Sequence, residues 1–342
     1  MMHKAEFEVQ TVTPLFIAGA DQEDISNEAL RPPSLRGVMR WWYRTLLLAK
    51  TDSLETINEH ESDLFGSTNR KSPISIIQGN FLGPNIATYS KQWSFDIDYL
   101  FFSFRQTRDR SARRFYDVDT TFSLTLLAKK VEKLERAISI FWLALNLGSI
   151  GSRARRGAGS LSLVKAEFKS SEPLISTDMI INSNSYSDYQ KYLSTNLKKI
   201  CNTSQINFAE FNRIAEIWVK NQEFDDWRKA LIEGSRWLKQ EKDRLKNSYG
   251  GDQRPYLGMP RKGFDIPNEN YKRRASPMWL AVAKSSSNKY FLRMVILKSE
   301  FLPEFGGRFS FKGRKYNAKN YHEILSDIAK GLRSSGWVAI KW

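Results

Sequence analysis

Asp119 to Leu145 reads DTTFSLTLLAKKVEKLERAISIFWLAL, and its two halves carry two different periods. Phe122, Leu124 and Leu126 alternate with Ser123 and Thr125, the pattern of a strand with one buried face. From Val131 the apolar positions become Val131, Leu134, Ile138, Phe141, Trp142 and Leu145, at helical spacing, behind a charged start of Lys129, Lys130, Glu132, Lys133, Glu135 and Arg136. A half-buried strand that feeds an amphipathic helix predicts a sheet covered by helices on one face.

The flanking sequence extends this pattern. Phe7 to Pro14 predicts a strand that runs into an acid-rich loop, LFIAGADQEDISNEAL. In LRPPSLRGVMRWWYR (Leu30–Arg44), Pro32 and Pro33 hold an extended entry and Ser34 is placed to cap a helix beginning at Leu35 and ending near Lys50. Leu64 to Thr68 forms a turn, Pro73–Phe81 and Phe95–Phe104 read as strands, and Ser160–Phe168 as a closing strand. Strand, helix, strands, helix, strand is the order of a ferredoxin-like sheet, an α+β fold, and it fills an N-terminal domain over 1–170. The polar, Ser/Asn-rich stretch that follows, including NSNSYSDY, marks a boundary, with a linker region over 171–205.

Over 206–342, Phe208, Phe211, Ala215 and Trp218 suggest one helix, and Phe224, Trp227, Leu231, Leu238 and Leu245 a longer one. Met278–Ala283 and Tyr290–Leu297 read as a hairpin joined by SSSN, Tyr321 to Leu332 as a helix stopped by Gly336, and WVAIKW as a last strand. This is most of a second ferredoxin-like domain, with a helical insertion.

Lys and Arg number 53 against 37 Asp and Glu, a formal charge of +16, which favours a polyanionic partner. An aromatic content of 13% adds rings on which bases can stack and tilts the choice towards nucleic acid. The single cysteine, Cys201, excludes an intramolecular disulfide and a Cys-based zinc site and suits a reducing compartment. No apolar run approaches the ~18 residues of a membrane span and MMHKAEFEVQ lacks a signal-peptide core, so the expectation is a cytoplasmic protein without a membrane partner.

Four basic stretches are candidates for binding RNA. Arg36, Arg40 and Arg44 recur at i, i+4 and i+8 on the first helix, and guanidinium groups match phosphate oxygens. The loop GSIGSRARRGAGS (Gly148–Ser160) combines glycines, among them Gly151 and Gly157, with Arg153, Arg155 and Arg156; it exposes backbone N–H groups to a phosphodiester. It has no GxxxxGK[ST] pattern and follows a helix, so it is not a nucleotide P-loop and no cofactor or metal is expected. RQTRDRSARRFY (Arg105–Tyr116) carries Arg105, Arg108, Arg113 and Arg114 and reads as an arm, with Phe115 or Tyr116 free to stack on a base. Lys272, Arg273 and Arg274 precede the later hairpin and could prolong a basic track, as could Arg261 and Lys262.

Taken together, LRPPSLRGVMRWWYR, LFGST and GSIGSRARRGAGS resemble the RAMP superfamily, and within it the family of first subunits of the type III-B CRISPR Cmr effector complex. KRRASPMWLAV resembles a later segment of that family, so the likeness runs from about residue 6 to residue 297. The resemblance implies tandem ferredoxin-like, RRM-like domains and a non-catalytic, RNA-holding role at the 3′ region of crRNA, where it meets target RNA, beside other Cmr RAMP subunits in antiviral defence. It also implies that RNA cleavage and cyclic-oligoadenylate synthesis belong to other subunits. The family's motif positions fall on Arg31, Ser34, Arg36 and Gly37, and on Gly151, Arg153, Arg155, Arg156, Gly157 and Gly159.

Two other readings stay in view. An RNA endonuclease would draw on Asp21 or Asp24, with Glu23 and Glu28 nearby in the acidic loop, or on a histidine; yet His3, His60 and His322 all lie outside the basic loops. A protein-interaction scaffold would instead turn its cations towards acidic neighbours.

Overall fold

The computed structural model describes residues 2–19, 21, 23–26, 30–82, 85–90, 93–169, 178–258, 264–265, 275–299 and 307–340. Its first half runs β1 (His3–Thr11), α1 (Pro32–Leu47), α2 (Leu54–Phe65), β2 (Ile74–Leu82), β3 (Ile86–Thr88), α3 (Phe95–Phe101), β4 (Arg114–Tyr116), β5 (Thr121–Ala128), α4 (Val131–Asn146) and β6 (Leu161–Lys169). The second half runs α5 (Tyr186–Thr203), α6 (Phe208–Ile214), β7 (Ala215–Phe224), α7 (Trp227–Ser248), β8 (Phe264–Asp265), β9 (Met278–Lys284), β10 (Tyr290–Leu297), β11 (Arg308–Phe311), β12 (Arg314–Asn317), α8 (Tyr321–Ser334) and β13 (Trp337–Ala339).

The first sheet has the order β2-β5-β1-β6, antiparallel at every pairing. The alternation read in Phe122, Leu124 and Leu126 is realised: these side chains and Phe7 are buried. Leu35, Met39, Trp42 and Leu46 of α1 and Leu134, Ile138, Phe141 and Leu145 of α4 join them in one core. Each large apolar side chain so buried is worth about 1.5–3 kcal/mol against exposure.

The second sheet, β13-β7-β10-β9, repeats that order. With β7, β9, β10 and β13 standing for β1, β2, β5 and β6, and α7 and α8 for α1 and α4, the chain is a tandem of ferredoxin-like units. β8, β11 and β12 form a small sheet inserted into the second unit. No helix among the described residues is long and apolar enough to cross a membrane.

Several local readings need correction. The first helix starts at Pro32, with Arg31 at the N-cap position and no side-chain cap, because proline has no N–H to lose in a first turn. Phe95–Phe104 is not a strand. Ser94 accepts a hydrogen bond from the Ile97 N–H, Asp96 and Asp98 sit in the first turn, and α3 buries Ile97, Leu100 and Phe101, with Phe104 following. Nor is the apolar stretch through Trp218 one helix: α6 ends at Ile214, and Ala215–Phe224 is the missing first strand of the second unit.

The 171–205 stretch, expected as a linker region, holds α5, whose Tyr189, Leu193, Leu197 and Ile200 are buried. They pack in one core with Ile217, Val219, Phe291 and Val295 of the second sheet and with α4. The opposite face of that sheet, including Trp218, Leu280, Leu292 and Met294, packs in a second core with Leu231 of α7 and Ile328 of α8.

Candidate nucleic-acid interface

The loop from Gly148 to Ser160 lies where the two units meet. Its backbone is tied to the segment after β1, with Ser152 N–H donating to the Phe16 carbonyl at 2.9 Å and Gly159 N–H to Pro14 at 2.9 Å. On the other side the Leu280 N–H of β9 donates to the Arg155 carbonyl at 3.4 Å, and Ser160 Oγ accepts from Val282 N–H at 3.1 Å. Two glycines permit this course. Gly151 has φ +87° and a Cβ there would stand 2.6 Å from the Phe16 carbonyl oxygen; Gly157, also at φ +87°, would bring a Cβ within 2.4 Å of Leu231 Cδ2.

The arginines of the loop part company. Arg155 turns inward: its guanidinium donates to the Ser276 carbonyl and lies 5.4 Å from the Trp41 ring and 4.9 Å from that of Trp279. It joins α1 to β9. Arg153 and Arg156 instead line a cavity of about 660 Å³ closed by Tyr99 and Phe102 near α3, Lys242 of α7, and Arg254 and Lys312 of the second unit. None of the described lining residues is acidic.

The guanidinium groups of Arg153 and Arg156 meet no carboxylate or hydrogen-bond acceptor among the described residues, and Arg153 Nε is buried without a partner. Burial lowers both, Arg153 to about 10 with Arg156 adding repulsion, so both guanidinium groups are poorly compensated. Such a site is set to gain from an entering anion.

A smaller groove of about 250 Å³ is lined by Ile17, Ala18, Arg31, Ser34, Gly151 and Ser152, among others. Since α1 starts at Pro32, Ser34 is spared as a cap and stands exposed beside Arg31. Arg31, Ser34 and Gly151 are thereby brought together from two distant motifs. A hydroxyl, a guanidinium and glycine backbone are apt for phosphodiester oxygens.

The row on α1 has other work. Arg40 donates to the carbonyls of Phe65 (2.9 Å) and Gly66 (2.6 Å) and lies 3.2 Å from Glu61; Arg36 donates to Phe65 at 3.3 Å; Arg44 stands 3.4 Å from Glu61. These are the free carbonyls at the end of α2, so the row caps that helix and fixes the LFGS turn, in which Gly66 has φ +78°.

The 105–114 arm is similarly part structural. Arg105 pairs with Asp98, which also accepts from Tyr89 Oη at 2.5 Å; Arg114 donates to the Glu23 carbonyl at 3.0 Å; Arg113 is half-buried. Only Arg108 of the expected four is exposed with no partner among the described residues. The expected stacking by Phe115 or Tyr116 is overturned: they are 2% and 0% exposed, Phe115 packing on Phe16 and Trp93 and Tyr116 donating to the Ile25 carbonyl. Lys272, Arg273 and Arg274, with Arg261 and Lys262, lie outside the described residues.

Sequence reasoning missed the exposed rings. Phe95, Tyr99 and Phe102, at i, i+4 and i+7, are 79%, 36% and 56% exposed, and Lys239 Nζ stands 4.3 Å from the Phe95 ring and 5.0 Å from that of Tyr99. Arg153 lies 4.4 Å over Phe102. The i, i+4, i+7 spacing was present, but it points away from the core.

In the acidic loop, Asp21 accepts from the N–H groups of Glu23 (2.7 Å) and Asp24 (3.2 Å), while Asp24 accepts from Ser26 through hydroxyl (2.6 Å) and N–H (2.9 Å). The Ser26 bonds hold the Asp24 carboxyl below its ordinary value. Glu28 lies outside the described residues, and His3, His60 and His322 occupy β1, α2 and α8. Among the described residues no three His, Cys, Asp or Glu side chains gather as metal ligands.

Comparison with known proteins adds to this geometry. Residues 8–162 match the family model of the RAMP superfamily. The chain is 33% identical over 182 residues to the CRISPR system Cmr subunit Cmr1-2 of Pyrococcus furiosus, covering 47% of this chain and 96% of that protein. It is 26% identical over 312 residues to Cmr1-1 of the same organism, covering 87% and 89% respectively. In fold it is similar to the apo crystal structure of Cmr1 from P. furiosus, with TM-score 0.65, 23% identity and 98% of both chains covered. It is also similar to a chain of the type III-B Cmr-beta complex bound to cognate target RNA, with TM-score 0.60, 15% identity, and 97% of this chain and 100% of that one covered.

Proposed function

We propose, of a chain that belongs to the RAMP superfamily and to its Cmr1 family of Cmr subunits, that it is a non-catalytic RNA-holding subunit of a type III-B CRISPR ribonucleoprotein. It would hold the 3′ region of crRNA, target RNA or both, beside other Cmr RAMP subunits in the cytoplasm. The observation that carries this reading is the convergence of Arg31, Ser34 and Gly151 on one groove, with Arg153 and Arg156 left without internal acceptors on the same loop. That arrangement binds a sugar–phosphate chain without reading its bases, which suits a protein whose guide selects the target by pairing. A relative's fold has been seen in a complex bound to cognate target RNA, which agrees with an RNA partner here.

The experiment is photocrosslinking in the reconstituted ribonucleoprotein, with 4-thiouridine placed along the crRNA and the target in turn. Crosslinks from the crRNA 3′ region, or the target facing it, to peptides containing Ser34 and Gly151 are expected, with RNA left intact by this chain alone. Crosslinks confined to other subunits would overturn the assignment. RNA cleavage by the purified chain that is lost on Asp21→Ala or Asp24→Ala would favour an endonuclease.

A further inference from the structure

Three exposed aromatic rings in line need an occupant. Phe95, Tyr99 and Phe102 cover one face of α3 and its continuation, although the same segment buries Ile97, Leu100 and Phe101 on its other face. The helix is therefore anchored through that inner face, while the outer rings stay exposed. Asp96 fixes α3 to α7 through Lys239 Nζ at 2.6 Å and Arg236 Nε at 3.0 Å, so the stripe is presented by a firmly seated element.

Cations interleave with the rings. Lys239 lies between Phe95 and Tyr99, and Arg153 lies over Phe102 at the mouth of the 660 Å³ cavity. An apolar protein surface laid on the stripe would leave the already buried Arg153 and Arg156 without a counter-charge. A double helix would bring phosphates but keep its base faces stacked inside. An unpaired nucleotide brings both a planar ring and a phosphate, and the cavity falls within the roughly 300–1,000 Å³ of small-ligand sites.

We propose that the α3 stripe and the adjoining cavity form a pocket for an unpaired nucleotide of RNA, its base stacked on Phe102 and Tyr99 and its phosphate held by Arg153 and Arg156. This rests on the RNA-holding reading but adds a second contact, which shares the glycine-rich loop with the groove of Arg31, Ser34 and Gly151. The groove takes backbone; the pocket takes a base splayed from the strand. Stacking is indifferent to base identity, so the pocket distinguishes unpaired from paired nucleotides.

The test uses the full chain and a short RNA carrying one 2-aminopurine, as a single strand and as a complete duplex, with adenosine monophosphate as competitor. The single strand is expected to bind with quenched fluorescence and the duplex without it, and the mononucleotide to displace the quenched base at high concentration. The double variant Tyr99→Ala, Phe102→Ala, which removes two exposed rings, should melt as the parent does, lose the quenching and bind about tenfold more weakly. Retained quenching in that variant, or equal quenching with duplex, overturns the pocket. A parallel variant, Arg31→Gln, Ser34→Ala, separates the two readings. If it loses RNA affinity while the ring variant does not, the pocket falls and the RNA-holding reading stands; if the parent binds no RNA, both fall.

Discussion

On α1 the guanidinium groups of Arg36 and Arg40 lie on the carbonyl oxygens that end α2, whereas on the glycine-rich loop Arg153 and Arg156 line a cavity with no acidic residue among its described lining. In sequence both regions are closely spaced arginines, and both resemble motifs of the same family. The difference lies in what the fold places opposite them. A helix end has unsatisfied carbonyls and a partial negative charge that a nearby arginine can take up, and α2 ends beside the α1 row. The loop emerges at the junction of two units, where α3 and α7 supply rings and more cations. Positive charge is open to an outside anion only where the chain leaves it uncompensated.

Arg293 marks the limit of internal use and should show the largest effect. It is 1% exposed on β10 and donates to the carbonyls of Leu145 (2.8 Å) and Gly148 (2.9 Å) at the end of α4 and to Tyr189 Oη (3.1 Å). Arg293→Met should cost about 3 kcal/mol in chemical denaturation, because it strands those carbonyls in the interior. Unchanged stability would mean that the two units and α5 are held by apolar packing alone.

Arg40→Ala comes next, at about 2 kcal/mol, since it uncaps α2 and leaves the buried Glu61 with Arg44 alone. RNA affinity should change little in the same protein, and a large loss of affinity at intact stability would erase the contrast between the two regions.

A smaller effect follows from acid. Burial raises the Asp96 carboxyl, but the bonds from Lys239 and Arg236 outweigh it and hold the group below its ordinary 3.8. A carboxylate held low stabilises the fold above its unfolded value and loses that contribution as pH falls through the folded one. Asp96→Asn should therefore melt below the parent at neutral pH, and the two curves should converge below about pH 4. Parallel curves down to pH 2 would show that these bonds do not seat α3.

Gly37→Ala should have the smallest effect and the opposite sign. Gly37 is exposed within α1 and a Cβ there meets nothing within 4 Å, so alanine should add up to ~1 kcal/mol of stability. If RNA backbone lies against this helix turn, the same variant should bind RNA more weakly; unchanged binding would leave the motif glycine without a contact.

Much of the fold was legible because periodicity was strong where one face is buried. Phe122, Leu124 and Leu126 declared a strand and Val131 to Leu145 a helix, and both stand. Failures came where burial is two-sided or the pattern is ambiguous. Ala215–Phe224 is covered on both faces, so Ile217, Trp218 and Val219 are all buried and no alternation shows. Phe95, Ile97, Tyr99 and Phe101 alternate like a strand while Ile97, Leu100, Phe101 and Phe104 satisfy a helix, and the Ser94 cap decided between them. In the site, the glycine-rich loop was legible from composition. Which arginines turn inward was not, because Trp41 and Trp279 meet Arg155 only after the two units pack.

Whether the loop arginines and not the α1 row meet phosphate is decided by the salt dependence of single-stranded RNA binding to the parent chain, to Arg153→Gln, Arg156→Gln and to Arg36→Gln, Arg44→Gln. The loop variant should lose about tenfold or more in affinity at low salt and its log–log salt slope should fall by about 1–2, while the α1 variant keeps the parental slope. A slope that falls with the α1 variant and not with the loop variant would contradict it.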